Sequence, residues 1–154
     1  MMSGKVHILL GSKSDSRVGD KIIETLKEFD VEYKLDVASA HRTPERVKTL
    51  VENSDADVFI AVAGLAAALP GSIAAHTVKP VIGVPVSGKV NLDSILSIVQ
   101  MPPGIPVAAV GLDRGENAAL LAIEICALKD PELVQQLEGY RRKMRKKAVG
   151  ENHV

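Results

Sequence analysis

The sequence predicts an α/β fold: a three-layer sandwich with a five-stranded parallel sheet between layers of helices, and one further helix at the C-terminus. Two observations carry this. Short apolar runs alternate with segments of helical periodicity along most of the chain. The third run, Asp57-Val58-Phe59-Ile60-Ala61-Val62, is nearly continuous in apolar character, as a parallel strand covered on both faces requires. A third observation bounds the organisation. No stretch of the 154 residues has the composition of a linker, so residues 1–154 are expected to form a single domain, with a core over about 5–128.

Each element has its own signature. Lys5 to Leu10 is the first strand. Asp15 to Phe29 follows as a helix, with Val18, Ile22, Ile23, Leu26 and Phe29 on one stripe. Val31 to Val37 is the second strand, and Pro44 suits the first turn of a helix running to Asn53. The third strand leads into a small-residue helix over Leu69 to Thr77. Pro80 to Pro85 and Pro106 to Val110 are the fourth and fifth strands, followed by helices over Leu92 to Gln100 and Glu116 to Leu128. Periodicity does not fix strand order; the expectation is the flavodoxin-like order 2-1-3-4-5.

The last helix, about 131–147, has a narrow apolar stripe of Leu133, Leu137, Tyr140 and Met144. Arg141, Arg142, Lys143, Arg145, Lys146 and Lys147 crowd its end. A basic amphipathic helix can touch a membrane or nucleic acid. The stronger reading is local: cations complement the dipole at a helix C-terminus, and the stripe packs on the domain or on a neighbouring subunit.

Composition excludes several classes of function. Nineteen basic and nineteen acidic residues cancel, so no global field draws the chain to nucleic acid or a membrane. Aromatic content is 3% with no Trp, which disfavours base-stacking platforms. The lone Cys126 sits in an apolar helical context and reads as a buried small hydrophobe in a reducing compartment. His7, His41, His76 and His153 show no ligand spacing, so no metal is expected. No signal-peptide pattern is present and no apolar run reaches ~18 residues, so the expected location is cytoplasmic.

The strands of a parallel sheet all end on one side, so the loops after strands one, two and three are expected to meet there. The first reads Gly11-Ser12-Lys13-Ser14-Asp15. Its hydroxyls and the helix N-terminus can donate to an anion, and Asp15 can accept from ligand hydroxyls. Ser and Asp are also favoured helix caps, which explains the same residues without a ligand. Neither Gly-x-Gly-x-x-Gly nor a P-loop occurs. The second loop reads Ser39-Ala40-His41-Arg42-Thr43-Pro44. Imidazole changes charge near neutral pH, and guanidinium grips phosphate with paired donors; the plain alternative is a cap and a surface charge. The third reads Ala63-Gly64-Leu65-Ala66-Ala67-Ala68-Leu69-Pro70-Gly71. Small side chains let backbone lie against a flat ligand, or simply let helix pack closely on sheet. Together the inventory fits a phosphorylated sugar bearing a planar ring.

With these segments in view, the chain resembles the 5-(carboxyamino)imidazole ribonucleotide mutase family of purine biosynthesis. The resemblance rests on Gly11–Asp15, Ser39–Pro44, Leu69-Pro70-Gly71, the segment Gln100-Met101-Pro102-Pro103-Gly104-Ile105-Pro106-Val107 and Asn117-Ala118-Ala119-Leu120-Leu121-Ala122, in family order. It implies a cofactor-free isomerase of IMP biosynthesis that moves a carboxylate from an exocyclic nitrogen to C4 of an aminoimidazole ring. CO₂ would be released and recaptured. It also implies a homo-octamer whose C-terminal helices reach across subunits. Ser12, Asp15 and Arg42 match substrate-binding positions of the family, and His41 matches its catalytic histidine. On chemical grounds Ser14 and Arg42 are assigned to the 5′-phosphate and Asp15 to the ribose hydroxyls. Ser39, Ala63, Gly64 and Leu69 complete the candidate substrate-binding set.

One position departs from the family. The mutases usually read Gly-Gly-Ala-Ala-His-Leu-Pro-Gly in the third loop, and here Ala68 stands in place of the histidine. A related branch, the direct aminoimidazole ribonucleotide carboxylases that use free CO₂, also tends to lack that histidine. This chain lacks that branch's Gly-Arg-Ser-Asn loop, and its Met101–Pro106 stretch is mutase-like. The mutase reading is therefore preferred, with the direct carboxylase as the alternative. A non-catalytic flavodoxin-like nucleotide-binding module, which has no need of His41, is the alternative from another class.

Overall fold

The computed structural model describes residues 4–151. Its elements are β1 (Lys5–Leu10), a single 3-10 turn (Lys13–Asp15), α1 (Ser16–Glu28), β2 (Glu32–Val37), α2 (Pro44–Glu52), β3 (Val58–Ala63) and α3 (Leu69–Ala74). These are followed by β4 (Val81–Pro85), α4 (Asn91–Val99), β5 (Ala108–Ala109), α5 (Gly115–Ala127) and α6 (Pro131–Glu151). The strands form one parallel sheet in the order β2-β1-β3-β4-β5, the flavodoxin-like order.

Alternation along the central strands builds two core layers, because successive side chains of a strand point to opposite faces. On one face Val6, Ile8, Leu10, Val58, Ile60 and Val62 pack with Val18, Ile22 and Leu26 of α1 and with Ala118, Ala122 and Ile123 of α5. On the other, Leu9, Phe59, Ala61 and Ala63 pack with Val47 and Val51 of α2, Leu69 and Ile73 of α3, and Ile98 of α4. Helices α1 and α5 meet closely through Gly115, where a Cβ would come within 2.5 Å of the Val18 carbonyl oxygen.

Most boundaries shift by a single residue from the sequence expectations, α3 ends at Ala74 rather than Thr77, and three other differences have a local cause. The first helix begins at Ser16, because Ser12 and Asp15 bond to each other's backbone and make the preceding turn 3-10. The fifth strand contracts from Pro106–Val110 to Ala108–Ala109. It has only β4 as a neighbour, and Pro106 has no N–H for a ladder. The final helix runs past residue 147 to Glu151. Its stripe is partly used at home: Leu133 is buried, Leu137 and Tyr140 pack on the α1/α5 layer, and the Tyr140 ring lies 5.5 Å from that of Phe29. Met144 stays 54% exposed.

Cys126 is buried in that layer, and burial pushes its thiol up to about 11, leaving it an unreactive packing residue. No helix among the described residues is long and apolar enough to cross a membrane. His153 lies outside the described residues.

Register levels the strand ends. Leu10 lies beside Val37 and Val62, and Ala63 beside Pro85. The loops starting at Gly11, Ala38, Gly64 and Val86 therefore leave the sheet side by side.

Candidate active site

The first loop is fixed by its own capping. Gly11 N–H donates to the Val62 carbonyl (2.9 Å), seating the loop between β1 and β3. Ser12 N–H donates to Asp15 Oδ2 (3.1 Å), while Ser12 Oγ accepts from Ser14 N–H (3.3 Å) and from Ser14 Oγ (3.0 Å). Asp15 is 7% exposed. Burial raises its carboxyl pKa, opposed only in part by the bond from Ser12. The capping explanation for Ser12 and Asp15 thus holds, and the same residues still face a cavity.

The second loop closes on itself. Thr43 N–H and Thr43 Oγ1 both donate to the Ser39 carbonyl (2.9 and 3.1 Å), and Ser39 N–H donates back to Thr43 Oγ1 (2.9 Å). Ser39 Oγ accepts from the backbone N–H (3.2 Å) and Nε (3.3 Å) of Arg42. Arg42 Nη2 then reaches the Gly11 carbonyl in the first loop at 3.3 Å. His41, beside it, is exposed.

The third loop carries backbone strain. Leu65 (φ 52°) and Ala67 (φ 39°) both occupy the left-handed region, which costs a residue with a Cβ about 1–2 kcal/mol. The turn is held by Ala67 N–H donating to the Gly64 carbonyl (2.9 Å). Strain of this kind gathers where surrounding structure fixes a loop for a purpose.

These loops line one cavity of about 520 Å³. All nine candidate residues contribute to it: Ser12, Ser14, Asp15, Ser39, His41, Arg42, Ala63, Gly64 and Leu69. Gly11, Ala40 and Leu65–Ala68 also line it; they belong to the same loops, but their small or apolar side chains give no chemical signal in the sequence and the candidate set lacks them. The position of the missing histidine, Ala68, is thus in the wall. A second cleft of about 460 Å³ shares Leu65 and Ala66, and adds Lys89, Asp93, Leu96 and Gln100 from around α4. Two of the resembling segments lie outside the first cavity. Met101 packs toward Gly71 of α3, and Ala118, Ala119 and Ala122 serve the α1/α5 layer. Among the described residues no group of three or more His, Cys, Asp or Glu is placed to hold a metal ion.

A family model described as AIR carboxylase matches residues 5–147. The chain belongs to the AIR carboxylase family. Members similar to it include the N5-carboxyaminoimidazole ribonucleotide mutase of Methanocaldococcus jannaschii, 62% identical over 143 residues, with 92% of this chain and 91% of the relative covered. The protein of the same name from Pyrococcus abyssi is 51% identical over 147 residues, covering 92% and 84%. Among solved structures, Treponema denticola PurE superimposes with a TM-score of 0.88 at 33% identity, covering 96% of both chains. A substituted variant of Treponema denticola PurE2 gives 0.90 at 32% identity, covering 98% and 97%. The family resemblance drawn from the loop motifs is therefore shown, and so is the fold.

Proposed function

We propose that the chain is a 5-(carboxyamino)imidazole ribonucleotide mutase of purine biosynthesis, with the three-loop cavity as its active site. The observation that carries this reading is the convergence of a phosphate-type cation (Arg42), a hydroxyl-type acceptor (Asp15) and a proton carrier (His41) on one cavity, in a chain 62% identical to a protein named for that activity.

Arg42 and Ser14 hold the 5′-phosphate, the guanidinium already oriented by Ser39 and the Gly11 carbonyl. Asp15 accepts from the ribose hydroxyls through the oxygen that Ser12 does not occupy. The backbone at Ala63, Gly64 and Leu69 provides the flat wall for the imidazole ring.

The chemistry balances on one proton. The N–CO₂ bond breaks, its electron pair returns to the exocyclic nitrogen, and that nitrogen takes a proton from the His41 imidazolium. The neutral aminoimidazole then attacks the released CO₂ through C4, forming the C–C bond. His41 removes the C4 proton, which restores aromaticity and regenerates the imidazolium. A positioned imidazole suits this shuttle, and confinement of CO₂ beside the ring supplies the advantage of proximity.

We infer a homo-octamer as the working form. Exposed apolar side chains on α4, Leu92 (61%) and Val99 (51%), support burial against further copies. Ala68 favours one second reading, direct carboxylation of the free aminoimidazole ribonucleotide by CO₂ from solution. Following the purified enzyme by ¹³C NMR with each substrate tests both: product from the carboxyamino substrate supports the mutase, and product only from aminoimidazole ribonucleotide plus CO₂ supports the carboxylase.

A further inference from the structure

The strand that delivers His41 is poorly anchored by apolar packing. β2 lies at the sheet edge, pairs only with β1, and has no buried residue among its six. Hydrophobic burial, the main favourable term elsewhere in the fold, contributes little there. Beyond the ladder to β1 and the small buried Ala38 that follows it, what joins its end to the body of the protein is polar.

Asp36 and Val37 are the last two residues of β2. His7 Nε2 lies 3.0 Å from Asp36 Oδ2, and Arg46 Nη2 donates to Asp36 Oδ1 at 3.3 Å. Arg46 Nε donates to the Val37 carbonyl at 3.1 Å. Lys34 Nζ adds a contact to Asp36 Oδ2 at 3.3 Å. His7 is fully buried in β1, its ring 5.5 Å from that of Phe59, and its Nδ1 is 2.9 Å from Ser54 Oγ in the loop after α2. An ionised carboxylate only accepts, which assigns the ring proton to Nε2 and makes Nδ1 the acceptor for the Ser54 hydroxyl. Ser54 Oγ in turn accepts from Ala56 N–H. Serine, histidine and aspartate in this order have the bonding pattern of a nucleophilic triad. Ser54 lines neither cavity described above, so the pattern here anchors a strand.

Arg46 sits in the first turn of α2, whose first residue is Pro44. The Asp36–Arg46 contact therefore joins the residues entering the loop 38–43 to those leaving it, and His7 ties that contact to β1. We propose that Asp36 is a positioning residue for the reaction: held by buried His7, it fixes Arg46 and so both ends of the loop that carries His41 and Arg42. This rests on the reading of His41 and Arg42 as working residues of the site. Only a guanidinium satisfies the geometry from α2, because one fork must reach a carboxylate and a neighbouring carbonyl together.

Asp36→Asn tests it. The amide nitrogen either opposes Arg46 or faces His7 Nε2, which must then pass its proton to Nδ1, and in both cases Arg46 loses its charge-assisted partner. Expected is a fall in kcat of about 10- to 100-fold in the folded variant, since small displacements of a catalytic group cost on that order. Weaker binding of aminoimidazole ribonucleotide should accompany it, because Arg42 rides on the same loop. The ¹⁵N spectrum of histidine-labelled, ligand-free protein gives the decisive readout. His41 signals, assigned by their loss in His41→Asn, should shift or broaden in Asp36→Asn and stay unchanged in Ile123→Val, a core change on the opposite face of the sheet from α2. Arg46→Lys, at an exposed position, keeps the test open if Asp36→Asn fails to fold, and should reproduce the same loss. Unchanged kcat and unchanged His41 signals in whichever of these variants folds would overturn the proposal. Full activity in His41→Asn would instead remove His41 from the chemistry, while the spectra would still report whether Asp36 holds its loop.

Discussion

Arg42 of the second loop donates from Nη2 to the carbonyl oxygen of Gly11 in the first, 3.3 Å away. The same guanidinium is steadied by Ser39 Oγ, so the cation is oriented across the mouth of the cavity before any ligand arrives. A phosphate entering there meets a donor that has little conformational freedom left to lose. Arg42→Ala should weaken binding of the ribonucleotide by roughly 10- to 100-fold, the scale of a charge-assisted bond worth about 1.5–3 kcal/mol. Calorimetric titration with aminoimidazole ribonucleotide measures this, and Arg42→Lys should recover little of the loss. Parental affinity in Arg42→Ala would dissociate Arg42 from the phosphate.

His41→Asn should leave ribonucleotide affinity within several-fold and lower kcat by about 10²–10⁴-fold or more. The amide keeps some polarity and size but cannot carry a proton, while Arg42, Ser14 and Asp15 remain in place. Because His41 is exposed, the fold should persist. Steady-state kinetics on the variant decide the matter, with near-parental kcat as the outcome that removes His41 from the mechanism.

Much of this was legible in the chain because it depends on local pattern. The bounds of β1 follow from one apolar run, and the three loops are recognisable because each follows a strand of the same parallel sheet. The site lining was legible for the same reason, since level strand ends bring those loops together. What was hidden depends on pairing between distant segments. His7 looks like an odd polar residue in an apolar strand until the β1–β2 register and the packing of α2 place Asp36 and Ser54 at its two nitrogens. The left-handed backbone of Leu65 and Ala67 has no local signal either, since neither residue type asks for it.

Leu65 offers a direct test of that strain. It is 78% exposed, so its side chain gains little from burial in the isolated chain, and it sits at φ 52°. Leu65→Gly should therefore be neutral or stabilising by up to about 1 kcal/mol, the relief of left-handed strain being partly offset by the greater freedom of glycine when unfolded. Urea denaturation measures it. A clear loss of stability would mean that Leu65 is held by packing, as in an assembled oligomer.

His7 should give the protein an acid-sensitive component of stability. Burial lowers its pKa, and the hydrogen bond to Asp36 opposes that only in part; Lys34 acts with burial and Asp55 against it. The folded protein thus resists a proton that the unfolded chain accepts near the ordinary imidazole value of about 6.5. Stability is full above that value and declines as pH falls below it, toward the folded pKa. His7→Ala removes both a buried hydrogen-bonding partner and the titration. It should be less stable than the parent near pH 7.5, by about 1–3 kcal/mol, and the gap should narrow toward about pH 5.5 as the imidazole of the unfolded parent charges. Urea midpoints at the two pH values check this; a gap that widens in acid would reverse the assignment.

Ala68 is the position at which the two carboxylation chemistries can be tested. It lies in the cavity wall at the start of α3, where the mutases usually carry histidine. If CO₂ leaves the exocyclic nitrogen and is trapped beside C4, the carboxylate in the product originates in the substrate. The carboxyamino ribonucleotide supplied in ¹³C-bicarbonate should then give mostly unlabelled product, quickly and without a bicarbonate requirement. A pocket open to dissolved CO₂ would give fully labelled product and prefer free aminoimidazole ribonucleotide. The small side chain leaves room for either, so the outcome depends on whether CO₂ is recaptured at C4 before it escapes the cavity. Ala68→His adds bulk and a hydrogen-bonding group to the same wall, and should reduce label uptake further if the parent already retains CO₂. Preference of the parent for free CO₂ would replace the mutase with the carboxylase, leaving the fold and the cavity unchanged.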